Sequence, residues 1–280
     1  MKKGIYIVST PIGNIKDISE RAREVLENAD IIACEDTRVT KKLLDLLNIP
    51  GSGKKLLTFH DHNEDKKASE IIELAETEEH IIAQVSDAGS PLISDPGYRL
   101  AHLCREKNID FSVVPGCCAI ICALQMSGLP TNRFMFAGFI PNRDKARLDL
   151  FTELKDIKTT LVFYETAPRL LKTLEAAQKI FPSRQMAVAR EMTKIYEECK
   201  NATAEELIAY FSQNPPKGEI VFMVAPPEDT KENNIDIKSV LRQKMLSMPL
   251  KGAVKQAVEE YGLNKNEVYR LALELKNEQL

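Results

Sequence analysis

Nine short apolar runs alternate with amphipathic stretches between Ile5 and Val224, and this alternation limits the fold more than any other feature. The runs are Ile5–Ser9, Ile31–Cys34, Leu56–Phe59, Ile81–Ser86, Phe111–Val114, Phe134–Phe139, Thr160–Tyr164, Met186–Ala189 and Ile220–Val224. Helical periods fall between most of them. "SERAREVLENAD" sets Ala22, Val25, Leu26 and Ala29 on one face, with Ser19 placed as an N-cap. "EDKKASEIIELAET" and "PGYRLAHLCREKN" repeat the pattern, and "PRLLKTLEAAQKIF" puts Leu170, Leu171, Leu174 and Ala177 on one stripe. Strands alternating with helices predict an α/β architecture with substantial parallel pairing. A chain of 280 residues can hold one large sheet or two smaller ones. "VVPGCCAIICALQMSGLP" is the natural seam, a Pro-Gly turn followed by a small-residue helix and a Gly-Leu-Pro stop.

After Val224 the character changes. "APPEDTKENNID" is polar and proline-containing, which reads as a linker. Beyond it the chain is helical. Ala253, Val254, Ala257, Val258 and Tyr261 form one stripe, and Val268, Leu271, Ala272 and Leu275 form another, with a turn expected at Gly262-Leu263-Asn264. That is a unit of helix-turn-helix size. It is either a helical appendage of the main body or a nucleic-acid reader. From Asp236 onward eight Lys/Arg face six Asp/Glu, a balance of +2 within a chain of net charge −3. The expected boundaries are therefore 1–116, 117–226, a linker over 227–235, and a helical segment over 236–280.

No apolar run approaches the roughly 20 residues of a membrane helix. The opening "MKKGIYIVSTPIGN" reads as a first strand and its loop, not as a signal peptide. Six cysteines in so long a chain do not make a disulfide framework, so a reduced, cytoplasmic setting is expected.

Ligands of α/β sheets gather beyond the carboxyl ends of the strands. Three loops there combine Pro or Gly with small polar residues: Ser9–Asn14, Ser86–Pro91 and Pro115–Ala119. Gly13, Gly89 and Gly116 permit close approach to the backbone, and Pro11, Pro91 and Pro115 stiffen it. Neither G-x-x-x-x-G-K-S/T nor a G-x-G-x-x-G after the first strand is present, and the loops are poor in Lys and Arg. A ligand with little net charge therefore fits better than a polyphosphate, and S-adenosylmethionine has that character. Asp87, at a strand's carboxyl end, is suited to its ammonium or ribose. Asp95, just before Pro96, reads as a turn or cap residue.

"ACEDTRVTKK" carries a strand straight into Glu35, Asp36, Thr37 and Arg38, which form either a site wall or an N-cap with an ion pair. "TFHDHNED" repeats the layout with His60, Asp61, His62, Asn63 and Glu64. With only four histidines in the chain and no helpful spacing, a metal site is not expected, and His60 is a candidate general base. "VFYETAPRL" ends a strand at Tyr164 and Glu165, and "AREMTKIYEE" ends one at Arg190 and Glu191. A salt bridge such as Arg190–Glu165 is the bland alternative there. Cys117, Cys118 and Cys122 match no zinc spacing and read as small buried fillers.

In order, "STPIGNIKDISERA", "CEDTRVT", "HDHNE", "VSDAGSPLISDPG", "VVPG", "SGLP", "GFIP", "FYETAPRL" and "REMTKIYEE" closely resemble the tetrapyrrole-methylase superfamily, and within it a branch that methylates ribosomal RNA. The resemblance runs through the helical end of the chain, "YGLNKNEVYRLALEL". It implies two α/β domains with S-adenosylmethionine between them, a homodimer, and 2′-O-methylation of a cytidine in the decoding region of 16S rRNA. By family position, the donor pocket would use Pro11, Gly13, Asp87, Ala88, Gly89, Ser90, Ala119, Ile120, Tyr164 and the backbone near Met223. His60, Glu35, Glu64 and Asp36 fall to the catalytic side, with His60 the first candidate for base. Arg38, Asn63, Arg169, Arg190 and Lys194 fall to the RNA. Two departures stand out. Cys117-Cys118 replaces a usual Pro-Ser, and Thr166-Ala167-Pro168 replaces a usual Ser-Pro-His, so a hydroxyl and a histidine are lost.

The expected reaction is in-line transfer to a ribose oxygen, without metal or covalent enzyme intermediate. Two rivals remain at this stage: a methylase of a small tetrapyrrole-like molecule, and a non-catalytic RNA-associated sensor of adenosylmethionine.

Overall fold

The computed structural model describes residues 1–77, 80–227, 237–261 and 265–277. The chain divides into two compact units, Met1–Pro226 and Pro227–Leu280.

The first unit holds two five-stranded sheets. The first sheet is built in the order β1 (Gly4–Val8), α1 (Glu20–Asn28), β2 (Ile31–Cys34), α2 (Thr37–Leu46), β3 (Lys55–Thr58), α3 (Glu64–Thr77), β4 (Ile81–Val85), α4 (Tyr98–Glu106) and β5 (Phe111–Val114). Every pair is parallel, and the strands lie in the order β3-β2-β4-β1-β5. The strands alternate between two buried faces. Tyr6, Val8, Ile32 and Ala83 pack with Ala22, Val25 and Leu44 of α1 and α2. Ile5, Ile31, Ala33 and Ile82 pack with Ile71, Ile72 and Leu100 of α3 and α4. Strands buried on both faces read as continuous apolar runs, as these do. Since β1 feeds a helix on one face and its neighbour β4 feeds one on the other, a crevice opens beyond their carboxyl ends.

The second sheet follows as α5 (Ala119–Ser127), β6 (Phe134–Phe139), α6 (Asp144–Leu154), β7 (Thr160–Thr166), α7 (Leu170–Ile180), β8 (Met186–Arg190), β9 (Glu198–Ala202), α8 (Ala204–Gln213) and β10 (Glu219–Val224). Its order is β6-β7-β10-β8-β9. Only β6 and β7 pair in parallel; β10 runs antiparallel to both β7 and β8, and β9 antiparallel to β8. The expectation of parallel pairing thus holds for the first sheet and for one pair of the second. On one face Phe151, Phe163, Phe181, Phe211 and Phe222 pack under α6, α7 and α8, with Phe151 ring centroids 5.6 Å and 5.4 Å from Phe163 and Phe181. On the other, α5 lays Ile120, Ala123 and Leu124 over Val162, Ala187, Val221 and Met223.

The helical unit consists of α9 (Ile237–Ser247), α10 (Leu250–Tyr261) and α11 (Lys265–Asn277). Leu241, Val254, Ala257, Val268, Ala272 and Leu275 form its own core. Both predicted stripes face inward there. The linker expected over 227–235, apart from Pro227, and the turn at Gly262-Leu263-Asn264 lie outside the described residues. Among the described residues no helix is long and apolar enough to cross a membrane.

Candidate active site

The two sheets of the first unit face each other across a cavity of about 350 Å³. The staple on its first-sheet side is a two-bond bridge. Thr10 N–H donates to Gly89 O at 2.8 Å and Gly89 N–H returns to Thr10 O at 3.1 Å, locking the loops after β1 and β4 together. Gly89 holds φ +80°, and a Cβ there would press on Ile12 at 3.3 Å. Ser90 Oγ donates to Cys117 O at 2.9 Å, drawing in the loop before α5. Asp87 is aimed from a third loop: Asp36 N–H donates to its Oδ1 at 3.1 Å.

From the second sheet come Phe139, Tyr164–Thr166, Glu191, Met192, Lys194 and Glu219–Val221. Antiparallel β10 brings its amino end beside the carboxyl ends of β7 and β8, with Glu219 opposite Thr166 and Ile220 opposite Arg190. Phe139 arrives through a bulge between Phe136 and Phe139, where Gly138 takes φ +72°. Its ring lies 5.3 Å from that of Tyr164.

The electrostatics are one-sided. Six lining residues are acidic, Glu35, Asp87, Asp95, Glu165, Glu191 and Glu219, and one is basic, Lys194. Lys194 Nζ is already 2.9 Å from Glu191 Oε1. Burial, reinforced by neighbouring carboxylates including Asp61, pushes Asp95 up to about 6. Burial also raises Glu35, with Asp87 and Asp95 adding to it, and burial raises Asp87. Glu191 and Glu165 have cationic partners in Lys194 and Arg169, but the remaining desolvated acids favour a positively charged ligand.

The chain matches the family model described as Tetrapyrrole (Corrin/Porphyrin) Methylases over residues 4–208, and that of the RsmI C-terminal HTH domain over 232–276. It is 45% identical to ribosomal RNA small subunit methyltransferase I of Erythrobacter litoralis, covering 99% of this chain and 96% of that one. It is 42% identical to the protein of the same name from Escherichia coli O157:H7, covering 96% and 94%. The chain belongs to the tetrapyrrole methylases and, among them, to the ribosomal RNA small subunit methyltransferase I family. Solved structures agree on the fold. Diphthine synthase superposes with a TM-score of 0.61 at 14% identity over 79% of this chain and 89% of that one. The cobalt precorrin-4 methyltransferase of cobalamin biosynthesis gives 0.58 at 15% identity, over 79% and 94%.

A methyltransferase of this family implies a methyl donor of the S-adenosylmethionine type. The cavity's residues fit one: the carboxylates suit its cationic sulfonium and ammonium, and Ile12, Ala88, Ala119, Tyr164 and Val221 supply apolar wall. Of the donor residues expected from sequence, Asp87, Ala88, Gly89, Ser90, Ala119 and Tyr164 line the cavity. Pro11 and Gly13 flank the lining residue Ile12. At Gly13 a Cβ would lie 2.7 Å from Lys194 Cγ, so its bareness lets the Lys194 side chain cross the loop. Ile120 is buried in the α5 core, and Met223 sits opposite Val162, two residues deeper than Val221.

The other expected residues divide. Glu35 and Lys194 line the cavity. Glu64 Oε1 accepts from Gly97 N–H and Arg99 N–H at 2.7 and 2.9 Å, closing the start of α4. His60 contacts Asn63, whose Oδ1 accepts from His60 N–H at 2.9 Å; the His60 Nδ1 is buried without a hydrogen-bond partner among the described residues. Asp36 both caps α2 and pairs Arg38, whose hydrogen bonds hold its carboxyl down at about 2. Arg169 pairs Glu165, whose buried carboxylate also accepts from Thr166 N–H and Thr173 Oγ1, both at 2.6 Å. Arg190 pairs Glu198, not Glu165. Cys117, Cys118 and Cys122, expected as buried fillers, are half-buried; burial raises the Cys117 and Cys122 thiols, and Cys118 lines the cavity. Glu219 and Phe139 also line the cavity without having been expected there, and so does Asp95, which the sequence suggested as a turn or cap residue. Asp95 reaches the cavity because Leu92 and Ser94 take φ of 71° and 66° and fold the chain back, which "PLISDP" does not announce.

Proposed function

We propose that this protein methylates the 2′-oxygen of a cytidine ribose in the decoding region of 16S rRNA, using S-adenosylmethionine, in the cytoplasm. The observation that carries the reading is the acid-rich cavity at the strand ends, in a chain whose length is matched almost completely by the rRNA methyltransferases above. S-adenosylmethionine, when bound, supplies a methyl group already activated by positive sulfur. Asp87 and the Ala88–Ser90 backbone would hold its polar end, and Ala119, Tyr164 and Val221 would face its adenosine.

The chain's own work is positioning and proton removal. Holding acceptor and donor in line supplies much of the acceleration. Asp95 takes the 2′-hydroxyl proton in this reading, because a cavity carboxyl near 6 is ionised at neutral pH yet still basic. Glu35, also in the cavity, is the second candidate, ahead of His60 and Glu64, whose bonds lie elsewhere. Arg38, in the first turn of α2, and Asn63, on the loop after β3, serve the RNA together with Lys194, while Arg169 and Arg190 pair with Glu165 and Glu198.

A homodimer is part of the reading. Edge strand β6 and α5 present a groove with Ile121, Leu124, Leu129 and Phe134, an apolar face that suits a second copy.

The deciding experiment supplies methyl-labelled donor and small subunits from cells lacking this protein. One label per subunit, mapped by mass spectrometry to a cytidine 2′-oxygen, is expected. Donor bound but nothing transferred would overturn the proposal and favour a sensor.

A further inference from the structure

The cavity poses a problem for an RNA substrate. Its lining is rich in carboxylates, and its one lysine is paired with Glu191. Charge alone grips a phosphate backbone weakly at such a mouth, even with Arg38 nearby, so the strand needs a further hold indifferent to charge. The turn between β8 and β9 offers one. Ile195 is 94% exposed and Tyr196 73% exposed, side by side, although Glu191, Met192 and Lys194 of the same turn line the cavity.

The turn is rigid. Met192 is buried in the α5 core. Glu191 and Thr193 hold φ of 50° and 66°, a conformation uncommon for residues other than glycine and disfavoured most for the β-branched Thr193. Thr193 N–H donates to Glu197 Oε2 at 2.7 Å, and Lys194 N–H and Glu197 N–H close successive turns at 3.1 Å. Bare Gly13 and Gly218 make room for the Lys194 and Glu191 side chains. Two large apolar side chains are therefore held in water by a locked backbone, an arrangement with no packing purpose within the described unit. Phe139, 56% exposed, stands on the rim contributed by β6.

We propose that Ile195 and Tyr196 form a stacking platform for an unpaired base of the RNA strand beside the target ribose, holding it splayed from its neighbours at the cavity mouth. Stacking tolerates the local negative charge, and a preformed platform loses little entropy on binding. Sequence-reading of RNA commonly uses such unstacked bases. The inference rests on the RNA-methylating function proposed above.

The test uses the full chain with Tyr196→Ala, Tyr196→Phe and Ile195→Ala/Tyr196→Ala. Three quantities are measured: donor Kd by calorimetry, KM and kcat for label transfer to undermethylated small subunits, and mass in solution. Tyr196→Ala should raise KM by roughly tenfold, and the double variant further, with donor Kd and mass unchanged. Tyr196→Phe should keep the parent KM, since stacking needs the ring and not the hydroxyl. A parental KM in the double variant overturns the platform. So does a loss of donor binding, which would make the turn part of the donor pocket, or a change of mass, which would make it a contact between copies. A parent enzyme that binds donor but transfers nothing to subunits instead removes the function on which the platform rests.

Discussion

Asp36 N–H donates to Asp87 Oδ1 at 3.1 Å, so a loop from one strand aims a carboxylate that belongs to another. The bond uses only Asp36 backbone, while its side chain caps α2 and holds Arg38. Substitutions at the two positions therefore separate. Asp36→Ala should lower stability through the lost cap and leave donor affinity unchanged. Asp87→Asn should weaken donor binding about tenfold or more with little effect on melting. Calorimetry and denaturant titration on both variants check this; equal donor affinities for Asp87→Asn and parent would remove Asp87 from the site.

Asp95 gives two pH signatures. Its folded pKa, about 6, is raised above the unfolded value by burial and nearby carboxylates. Its contribution to stability is fully present below about pH 4 and is lost as pH climbs to about 6, where the folded chain must carry a poorly solvated charge. Asp95→Asn should therefore stabilise the donor-free protein at pH 7 but not at pH 4. Thermal melts across that window check the sign.

The same group should govern turnover. In the parent, kcat/KM should rise with pH to a plateau, with an inflection near 6. Asp95→Asn should lower kcat by about 100-fold and abolish that inflection. A variant with parental rate and profile would move the base to Glu35.

Arg169 and Arg38 both looked like phosphate ligands, but their surroundings differ. Glu165 is fully buried, and Arg169 is the partner that balances it. Arg169→Ala should destabilise the fold by about 3–5 kcal/mol, since it leaves a buried charge uncompensated. Arg38 points into solvent. Arg38→Ala should leave melting nearly unchanged, weaken RNA binding, and reduce the salt dependence by about one counterion.

Gly89→Ala should cost about 1–3 kcal/mol, because φ +80° is strained for alanine. The added methyl presses on Ile12 inside the cavity. Donor affinity should fall along with melting temperature, measured in one series with and without donor.

Much of this architecture was legible as pattern. The inner strands of the first sheet, β1, β2 and β4, are buried on both faces and stand out as Ile/Val/Ala-rich runs, and the Gly-Pro loops at their ends marked Asp87–Ser90 as a ligand loop. β9 was not legible, since "ECKNA" has no apolar run: it is an edge strand, half-exposed along its length. Nor could the reversed direction of β10 be seen, because an apolar run carries no arrow. Glu64 shows the limit of local reading. Its neighbourhood looked catalytic, yet its partners Gly97 and Arg99 lie more than thirty residues along the chain.

The central place of β10 has a consequence for biosynthesis. It is the last strand made, yet β7 and β8 each pair with it and not with one another. A nascent chain that has not yet released Glu219–Val224 has neither a continuous second sheet nor the final wall of its cavity. Completion of the second sheet and the cavity's final wall therefore arrive together, at the end of the first unit's synthesis.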